Sequence, residues 1–364
     1  MKKILLILFL ALAVQLSAQY EFTTKYNLEC TSVKNQERTG TCWSFSTASF
    51  LESELMRMGK PEVNLSEMYM VRTIYMDKAY NYVLRQGKAN FSQGGLSHDV
   101  IRAFRMAGAV PESVYSGLLP GDEYYDHSEM EAAMKGMLDG ILERKRLSNR
   151  WPGAIDCILD NYMGDVPEEF SYKGKNYTPE TFAESLGINP DDYVTLTSFS
   201  HHPFYETFIL EIPDNYSNGT YYNLPLDELQ AIVDNALASG YTVAWDGDVG
   251  EKGFSAGKGL AIMPADPNSE GMFDHPVEEL NVTQELRQEG FESYATTDDH
   301  LMHLTGLATD QNGTKYYLTK NSWGEVSQYK GFLYMSDAYF RMKTIGIMVH
   351  KDAIPKDIAA KLSL

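Results

Sequence analysis

Residues 35–46 read NQERTGTCWSFS, and this stretch decides how the rest of the chain is interpreted. Its cysteine, Cys42, follows a polar run that favours a turn and precedes an apolar pattern with helical spacing. A buried structural cysteine prefers aliphatic neighbours, which Cys42 does not have in the sequence. We therefore predict that Cys42 lies at the junction between a loop and the first turn of a helix.

A cysteine at the start of a helix is a candidate nucleophile. The helix dipole and the unpaired N–H groups favour the thiolate, so we expect the pKa of Cys42 to lie below the free value of about 8.5. A thiol that attacks a carbonyl also needs a base, a group that holds the base, and donors for the oxyanion. The oxyanion donors can be the backbone N–H of Cys42 and the side-chain amide of Gln36. Asn321, shielded by Trp323, can hold a histidine.

Four motifs follow one another along the chain. They are Gln36, the run Gly40–Ser46, Asp299-His300 with Gly306, and Asn321–Gly324. In this order they resemble the papain-type cysteine peptidases. Three further stretches resemble the bleomycin hydrolase and aminopeptidase C branch of peptidase family C1, at residues 65–84, at 221–250, and at 330–340 with 351–362. The resemblance covers residues 30–361 almost completely.

The resemblance implies roles for individual residues. Cys42 would be the nucleophile, His300 the base, Asn321 the group that orients it and Gln36 an oxyanion donor, with Trp323 and Trp43 in support. The spacing to Gly306 selects His300, although the sequence HLMH by itself allows His303 as well.

We expect no cofactor and no metal. His300 and His303 are three residues apart and would lie on opposite faces of a strand, so they make a poor ligand pair. The run Asp246–Asp248 resembles the start of a calcium loop, but position twelve is Gly257 rather than glutamate, and we predict a turn there. We expect His201 and His202 to be surface residues.

The order of helices and then strands predicts an α+β protein. Helices are predicted at 42–58, at 64–86 with Asn64 as the cap, at 96–107 and at 225–239, and short strands dominate after residue 191. The resemblance implies a papain-like fold of two lobes in a domain spanning 19–364. Its parts are a helical lobe at about 30–108 that carries the cysteine, a helical insertion at about 109–190, and a β-barrel-like lobe at about 191–350 that carries the histidine and the asparagine.

The first eighteen residues have the layout of a secretory signal, with Lys2 and Lys3 before an apolar run and small residues at the end. We predict cleavage near Ala18 and a periplasmic or extracellular protein without a membrane span, because the apolar run is shorter than the roughly 20 residues that a bilayer requires. Only residues 19–41 would precede Cys42, too few for a long inhibitory prosegment. The net charge of −19, without a basic block, argues against nucleic acid as a partner.

The chain has three cysteines, Cys30, Cys42 and Cys157, which is an odd number for an exported protein. At least one thiol is therefore free or intermolecular, and pairing of Cys30 with Cys157 stays open. Thr39 and Ser92 stand where papain has a disulfide, and the absence of both cysteines together leaves the catalytic interpretation unchanged.

The function that follows is an exported cysteine peptidase acting through a Cys42 thioester, by resemblance an aminopeptidase with peptide substrates. The alternatives are another thiol acyl-transfer enzyme, such as a cell-wall amidase or a transglutaminase, and a non-catalytic peptide-binding relative. Members of this branch form homo-oligomers, often hexamers, and have a C-terminal arm that binds the amino group of the substrate. Here only Ser363 and Leu364 follow the start of that arm, which predicts tolerance of blocked amino termini unless the insertion supplies an acidic or steric stop.

Overall fold

The computed structural model describes residues 19–144 and 146–364. The predicted signal segment, 1–18, lies outside the described residues, and its cleavage near Ala18 stays a prediction. Within the described ranges, every helix is too short or too polar to cross a bilayer.

Helices dominate the first half of the chain, as the sequence predicted. They are α1 Cys42–Arg57, α2 Glu67–Leu84, α3 Ser97–Ala107, α4 Ser128–Leu142, α5 Trp151–Met163 and α6 Pro179–Leu186, and later in the chain α7 Leu226–Ala238, α8 Gln284–Glu292, α9 Asp337–Lys343 and α10 Lys356–Leu362. The helix that begins at Cys42, the one that ends before Gly108 and α7 are confirmed. The sequence did not predict α5.

Most strands that the structure describes lie in the second half, and three lie in the first half. They are β1 Thr23–Asn27, β2 Phe170–Tyr172, β3 Lys175–Tyr177, β4 Tyr193–Thr197, β5 Thr207–Ile209, β6 Thr220–Asn223, β7 Val243–Gly247, β8 Phe254–Ser255, β9 Leu260–Ala261, β10 His300–Thr309, β11 Lys315–Lys320, β12 Phe332–Ser336 and β13 Thr344–His350. Apart from the hairpin β2–β3, they form one sheet in the order β5-β6-β4-β13-β7-β10-β11-β12-β9-β8, with β1 on β10. Both halves together make the α+β architecture that the sequence predicted.

The start of α2 differs from the prediction. Ser66, not Asn64, is the N-cap, because its Oγ accepts the N–H of Tyr69 at 3.0 Å. Leu65 is held in an extended bridge with Pro111, so the helix cannot begin before Ser66.

The insertion extends the core of the helical lobe. Helices α4 and α5 pack on α2. Their buried residues join the same core cluster as those of α1 to α3, and they are Met130, Met134, Leu138, Ile155, Leu159 and Met163. The segment before α4 reaches the loop that precedes Cys42, where the N–H of Arg38 donates to the carbonyl of Tyr125 at 3.1 Å.

Strand β10 lies at the centre of the β-rich lobe. It is buried along nearly its whole length, with α1 on one face and α7 on the other. It pairs with β7 in a register that sets His300 opposite Gly247 and Leu301 opposite Asp246. The predicted turn at Asp246–Asp248 is wrong, because β7 is paired with both β10 and β13 and continues to Gly247.

The hairpin β10–β11 turns at Asn312-Gly313. Gly313 has a φ of 85°, a conformation that favours glycine. The carboxylate of Asp310 accepts the N–H groups of Asn312 at 2.9 Å and of Thr314 at 2.8 Å. This tight connection places β11 beside β10, so that Asn321, the residue after β11, returns to the end of the sheet where β10 begins.

Candidate active site

Cys42 is the first residue of α1 and is almost completely buried. The backbone N–H of Leu301, the residue after His300, donates to its sulfur and lowers its pKa. Burial has the larger effect, and with the carboxylates of Asp298, Asp246 and Asp214 it raises the pKa of Cys42 to about 12. The expected lowering by the helix terminus is therefore outweighed by the removal of water and by nearby negative charge.

His300, the first residue of β10, contacts Asn321. The distance from His300 Nε2 to Asn321 Oδ1 is 2.7 Å. The same oxygen accepts the backbone N–H of Ser322 at 2.7 Å, which fixes the amide and puts the imidazole proton on Nε2. The other ring nitrogen, Nδ1, is then a proton acceptor. Burial lowers the pKa of His300 to about 4, although the bond to Asn321 acts in the opposite direction.

His303 lies on the other face of β10. Its Nδ1 is 2.9 Å from Ser49 Oγ of α1, and the same hydroxyl accepts from Lys320 Nζ at 2.8 Å. Burial and the charge of Lys320 hold the pKa of His303 well below its usual range. Of the two histidines in HLMH, only His300 is in contact with Asn321.

Gln36 is held at the lobe boundary by three hydrogen bonds. Its Nε2 donates to Thr39 O at 2.7 Å, its Oε1 accepts from Ser322 Oγ at 2.6 Å, and its backbone N–H donates to Ser322 O at 2.8 Å. The side-chain amide keeps a second N–H that can serve a ligand. Thr39, where papain has a cysteine, stabilises the turn by donating from Oγ to Gln36 O at 2.8 Å.

The two tryptophans, Trp323 and Trp43, pack next to His300 and next to the loop of Gln93 to Gly95, respectively. The Trp323 ring is 4.5 Å from the His300 ring, and its backbone forms a bridge with Asn35. Trp43 is fully buried, donates from Nε1 to Gln93 O at 3.0 Å and packs on Gly95, where a Cβ would be 2.9 Å from the ring. The structure thus gathers the six candidate residues where α1, β10 and the segment after β11 meet.

Three acidic residues act on Cys42 that the sequence did not identify as part of the site, namely Asp246, Asp298 and Asp214. Asp246 is only 3% exposed, and its pKa is raised well above the usual range by burial and by Asp298. The pKa of Asp298 is raised to about 7, by burial and by Asp214. Aspartate is unusual in a buried strand, and this was the signal in the run YTVAWDG that could have identified Asp246.

The described residues also include three free thiols and a group of side chains that could bind a cation. Cys30, Cys42 and Cys157 are all free in the described part of the chain, with Cys157 exposed on α5. His201, His202 and Glu211 are the group that could hold a metal, because their ligand atoms lie within 4.8 Å of one another. His202 Nε2 is 2.7 Å and His201 Nε2 3.3 Å from the Glu211 carboxylate.

Comparison with known proteins places this site in a family. The family model described as "Peptidase C1-like family" matches residues 161–364, which is more than half of the chain. The chain belongs to the peptidase C1-like family. The model described as "Papain family cysteine protease" matches residues 16–138, which include Cys42. The protein is a cysteine peptidase.

Curated relatives cover almost the whole chain. Aminopeptidase G of Lactobacillus delbrueckii subsp. lactis is 25% identical over 91% of this chain and 84% of its own length. Aminopeptidase C of Streptococcus thermophilus is 24% identical over 93% and 84%. Bleomycin hydrolase of Homo sapiens is 23% identical over 95% and 86%. The resemblance to the aminopeptidase C and bleomycin hydrolase branch is confirmed.

A solved structure has the same fold. The crystal structure of PepW from Lactobacillus rhamnosis HN001 matches with a TM-score of 0.75 and 20% identity, covering 94% of this chain and 84% of that one. The papain-like α+β fold expected from the motifs is confirmed.

Proposed function

We propose that this protein is an aminopeptidase that cleaves peptide bonds through a thioester on Cys42. The observation that carries the proposal is the 2.7 Å contact of His300 Nε2 with Asn321 Oδ1, one residue from the Leu301 N–H that contacts the Cys42 sulfur. The similarity to aminopeptidases G and C supports the same activity.

In the first half of the reaction, Cys42 Sγ attacks the carbonyl carbon and its proton passes to His300 Nδ1. The backbone N–H of Cys42 and the second N–H of the Gln36 amide donate to the oxyanion. The C–N bond then breaks, His300 gives the proton to the leaving amine, and the acyl group stays on sulfur. Asn321 holds the imidazole in the required tautomer and orientation throughout.

In the second half, water attacks the thioester and gives a proton to His300. The C–S bond breaks, the acid leaves, and the proton returns to Cys42. The chemistry needs no metal or cofactor. The surface group of His201, His202 and Glu211 has no part in it.

A variant pair tests the nucleophile. Cys42→Ala is expected to lower kcat/KM for a fluorogenic aminoacyl amide by about 10³-fold or more. Cys157→Ala, which removes an exposed thiol on α5, is expected to leave it unchanged. Near-normal turnover by Cys42→Ala would refute the proposal.

Two rival functions make different predictions. A cell-wall amidase or transglutaminase would prefer cell-wall fragments or glutamine side chains over aminoacyl amides. A non-catalytic peptide-binding protein would turn over none of these. One equivalent of a thiol-directed epoxysuccinyl inhibitor is expected to abolish activity and to label Cys42, and an unlabelled Cys42 with intact activity would exclude the thioester.

Export and self-assembly stay predictions from the sequence and the resemblance. Mass spectrometry of the mature N-terminus tests cleavage near Ala18, and light scattering of the purified protein tests for a homo-oligomer such as a hexamer. Tolerance of blocked amino termini also stays a prediction, and the acidic side chains near Cys42 argue against it.

A further inference from the structure

A buried carboxylate without a donor lies next to the nucleophile. Asp246 is directly opposite Leu301 in the β7–β10 ladder, so their Cα atoms are about 5 Å apart, and Leu301 contacts Cys42. Among the described residues, no N–H or hydroxyl group donates to either oxygen of Asp246, whose side chain is hydrogen-bonded to the carboxyl group of Asp298. A buried anion of this kind is costly unless a partner neutralises it.

The groups around Asp246 do not supply that partner. The main charges that act on it are the carboxylates of Asp298, Asp214 and Asp299, and each raises its pKa further. The carboxyl group of Asp298 lies beside it, and two carboxylates repel each other unless they share a proton. Asp298 Oδ2 also lacks a donor in the part of the chain that the structure describes.

The nearest lysine, Lys78, is already engaged. Its buried ammonium group donates to the backbone carbonyls of Ser92, at 3.0 Å, and of Gly94. Its charge lowers the pKa of Asp214 and Asp298, but the net shift of both is still upward. The carboxyl groups of the cluster therefore bind protons more tightly than free carboxyls do, because Lys78 does not offset burial and their mutual repulsion.

The third carboxylate, Asp214, belongs to a segment that joins the two lobes. This segment, residues 212–219, connects β5 with β6, yet its polar side chains bond to the helical lobe. Asp214 accepts from Asn90 Nδ2 at 2.8 Å, Ser217 Oγ donates to Asp99 at 3.1 Å, and Tyr216 OH donates to Asp77 at 2.8 Å.

The segment also fills space next to the nucleophile. The Asp214 carboxylate lies so close to Gly94 that a Cβ on this glycine would collide with it. The charge of Asp214 also raises the pKa of Cys42, so this end of the segment is close enough to act on the thiol.

The cluster is reachable from solvent. Asp298 lines an open cavity of about 400 Å³ together with Pro213, Thr297 and Phe291. Asp298 is therefore the carboxylate that a small cation can reach from this cavity, whereas Asp246 is almost fully buried.

We propose that Asp298 and Asp246, with Asp214 close to them, form the binding site for the positively charged amino terminus of the substrate. This inference rests on the proposed function and adds the group that makes the enzyme an aminopeptidase. The side chains that would recognise the amine are then Asp246 of β7, Asp298 just before β10, and Asp214 of segment 212–219. A bound ammonium group supplies the donors and the positive charge that these carboxylates lack.

Binding of the amine would also affect the nucleophile. The three carboxylates raise the pKa of the Cys42 thiol. A substrate ammonium group neutralises part of that charge, so the thiolate becomes easier to form when the correct substrate is present.

The test compares free and acetylated substrates in matched variants. Aminoacyl and dipeptidyl coumarin amides are assayed with and without an acetyl cap, using wild type, Asp298→Asn and Asp246→Asn. Glu292→Gln is the control, because Glu292 lines the same cavity but is not among the main charges that act on Cys42. Wild type is expected to prefer a free amine by about 100-fold or more.

Each Asn variant is expected to lose kcat/KM for the free amine by about 30-fold, a typical effect of removing one partner of a buried charge pair. The acetylated substrates should change by less than about 3-fold, and Glu292→Gln should resemble wild type. Equal losses on both substrate forms, or an unchanged preference, would overturn the proposal. Efficient cleavage of an acetyl-lysyl amide by wild type, lost in Asp298→Asn, would also overturn the proposal. The carboxylates would then bind the lysine side chain of the substrate and not its amino terminus.

A binding measurement separates this proposal from the catalytic one. Leucinamide and acetyl-leucinamide are titrated into Cys42→Ala by calorimetry. Selective binding of leucinamide that disappears in Cys42→Ala/Asp298→Asn supports the amine site even if the wild-type enzyme proves inactive on peptides. Equal affinity for the two amides would overturn the amine site even if Cys42 proves to be the nucleophile.

Discussion

At the scale of single residues, burial works against the charged forms of both Cys42 and His300. It raises the pKa of the thiol to about 12 and lowers the pKa of the imidazole to about 4. A pair of Cys42 thiolate and His300 imidazolium therefore forms only if the attraction between the two charges, and any charge on a bound ligand, offsets the effect of burial. This makes the surrounding carboxylates part of the control of the nucleophile.

The two histidines of HLMH provide a direct comparison. His300→Ala is expected to lower kcat/KM by about 10³-fold or more, because the proton acceptor and its bond to Asn321 are lost. His303→Ala is expected to keep activity within about 10-fold and to act mainly on stability, because His303 bonds Ser49 on the other face of β10. Steady-state kinetics and thermal unfolding distinguish the two, and the reverse pattern would show that His303 is the base.

The thiol pKa can be tested through its neighbours. Asp298→Asn removes the carboxylate that raises the pKa of Cys42 most strongly. The pKa should fall, so the thiolate fraction and the rate of alkylation by iodoacetamide at pH 7 should rise, by about 3-fold or more. Peptide mass spectrometry measures the rate at Cys42, with the exposed Cys157 of the same molecule as the internal reference. A slower reaction at Cys42 would contradict the electrostatic explanation.

At the scale of elements, the ends of α1, β10 and β11 determine the site. Gln36 and Asn321 lie outside regular elements, and backbone bonds hold their two segments together, from Gln36 N to Ser322 O at 2.8 Å and from Gly324 N to Lys34 O at 3.1 Å. The oxyanion donor and the histidine partner are thus positioned by one short pairing between the lobes. A site built in this way depends on the helical lobe keeping its own geometry.

The cap of α2 gives a measurable contribution to that geometry. Ser66→Ala removes the acceptor for Tyr69 N–H and the donor to Tyr115 O, and is expected to lower the free energy of unfolding by about 1–2 kcal/mol. Asn64→Ala is the matched control, because Asn64 is exposed and is not the cap, and it should change stability by less than about 0.5 kcal/mol. Urea unfolding measures both, and a larger loss for Asn64→Ala would restore the cap that the sequence suggested.

At the scale of the whole molecule, the acidic cluster lowers the stability of the folded chain at neutral pH. The pKa of Asp298 is raised to about 7 in the folded state, whereas a carboxyl in the unfolded chain has a value near 3.9. The folded state therefore binds the proton more tightly. The resulting stabilisation is fully present below about pH 4 and is lost as the pH rises towards 7.

Removal of this carboxylate should make the protein more stable in neutral and basic solution. Asp298→Asn is expected to raise the melting temperature relative to wild type at pH 8, and the gain should shrink or vanish at pH 4.5, where the wild-type carboxyl is mostly protonated. Differential scanning calorimetry at the two pH values measures the difference. A variant that is destabilised more at pH 8 than at pH 4.5 would show that the carboxylate is paired in the folded state.

The sequence by itself determined the family, the order of helices and strands, and six candidate site residues. It could do so because a nucleophile at a helix start, its histidine and its asparagine occur in short motifs whose local spacing is constrained by chemistry. The start of α2 and the strand at Asp246-Gly247 were misread, because bridge and ladder partners distant in the chain decide both.

Only the tertiary structure brought Asp214, Asp246 and Asp298 together. They come from a loop, a strand and the approach to another strand, and no motif links them in the sequence. The β7–β10 register aligns Asp246 with Leu301, and segment 212–219 crosses to the helical lobe to place Asp214 on Gly94. Burial, which only packing creates, then shifts the pKa values of the three carboxyls and of Cys42, so the electrostatics of the site is a property of the folded chain.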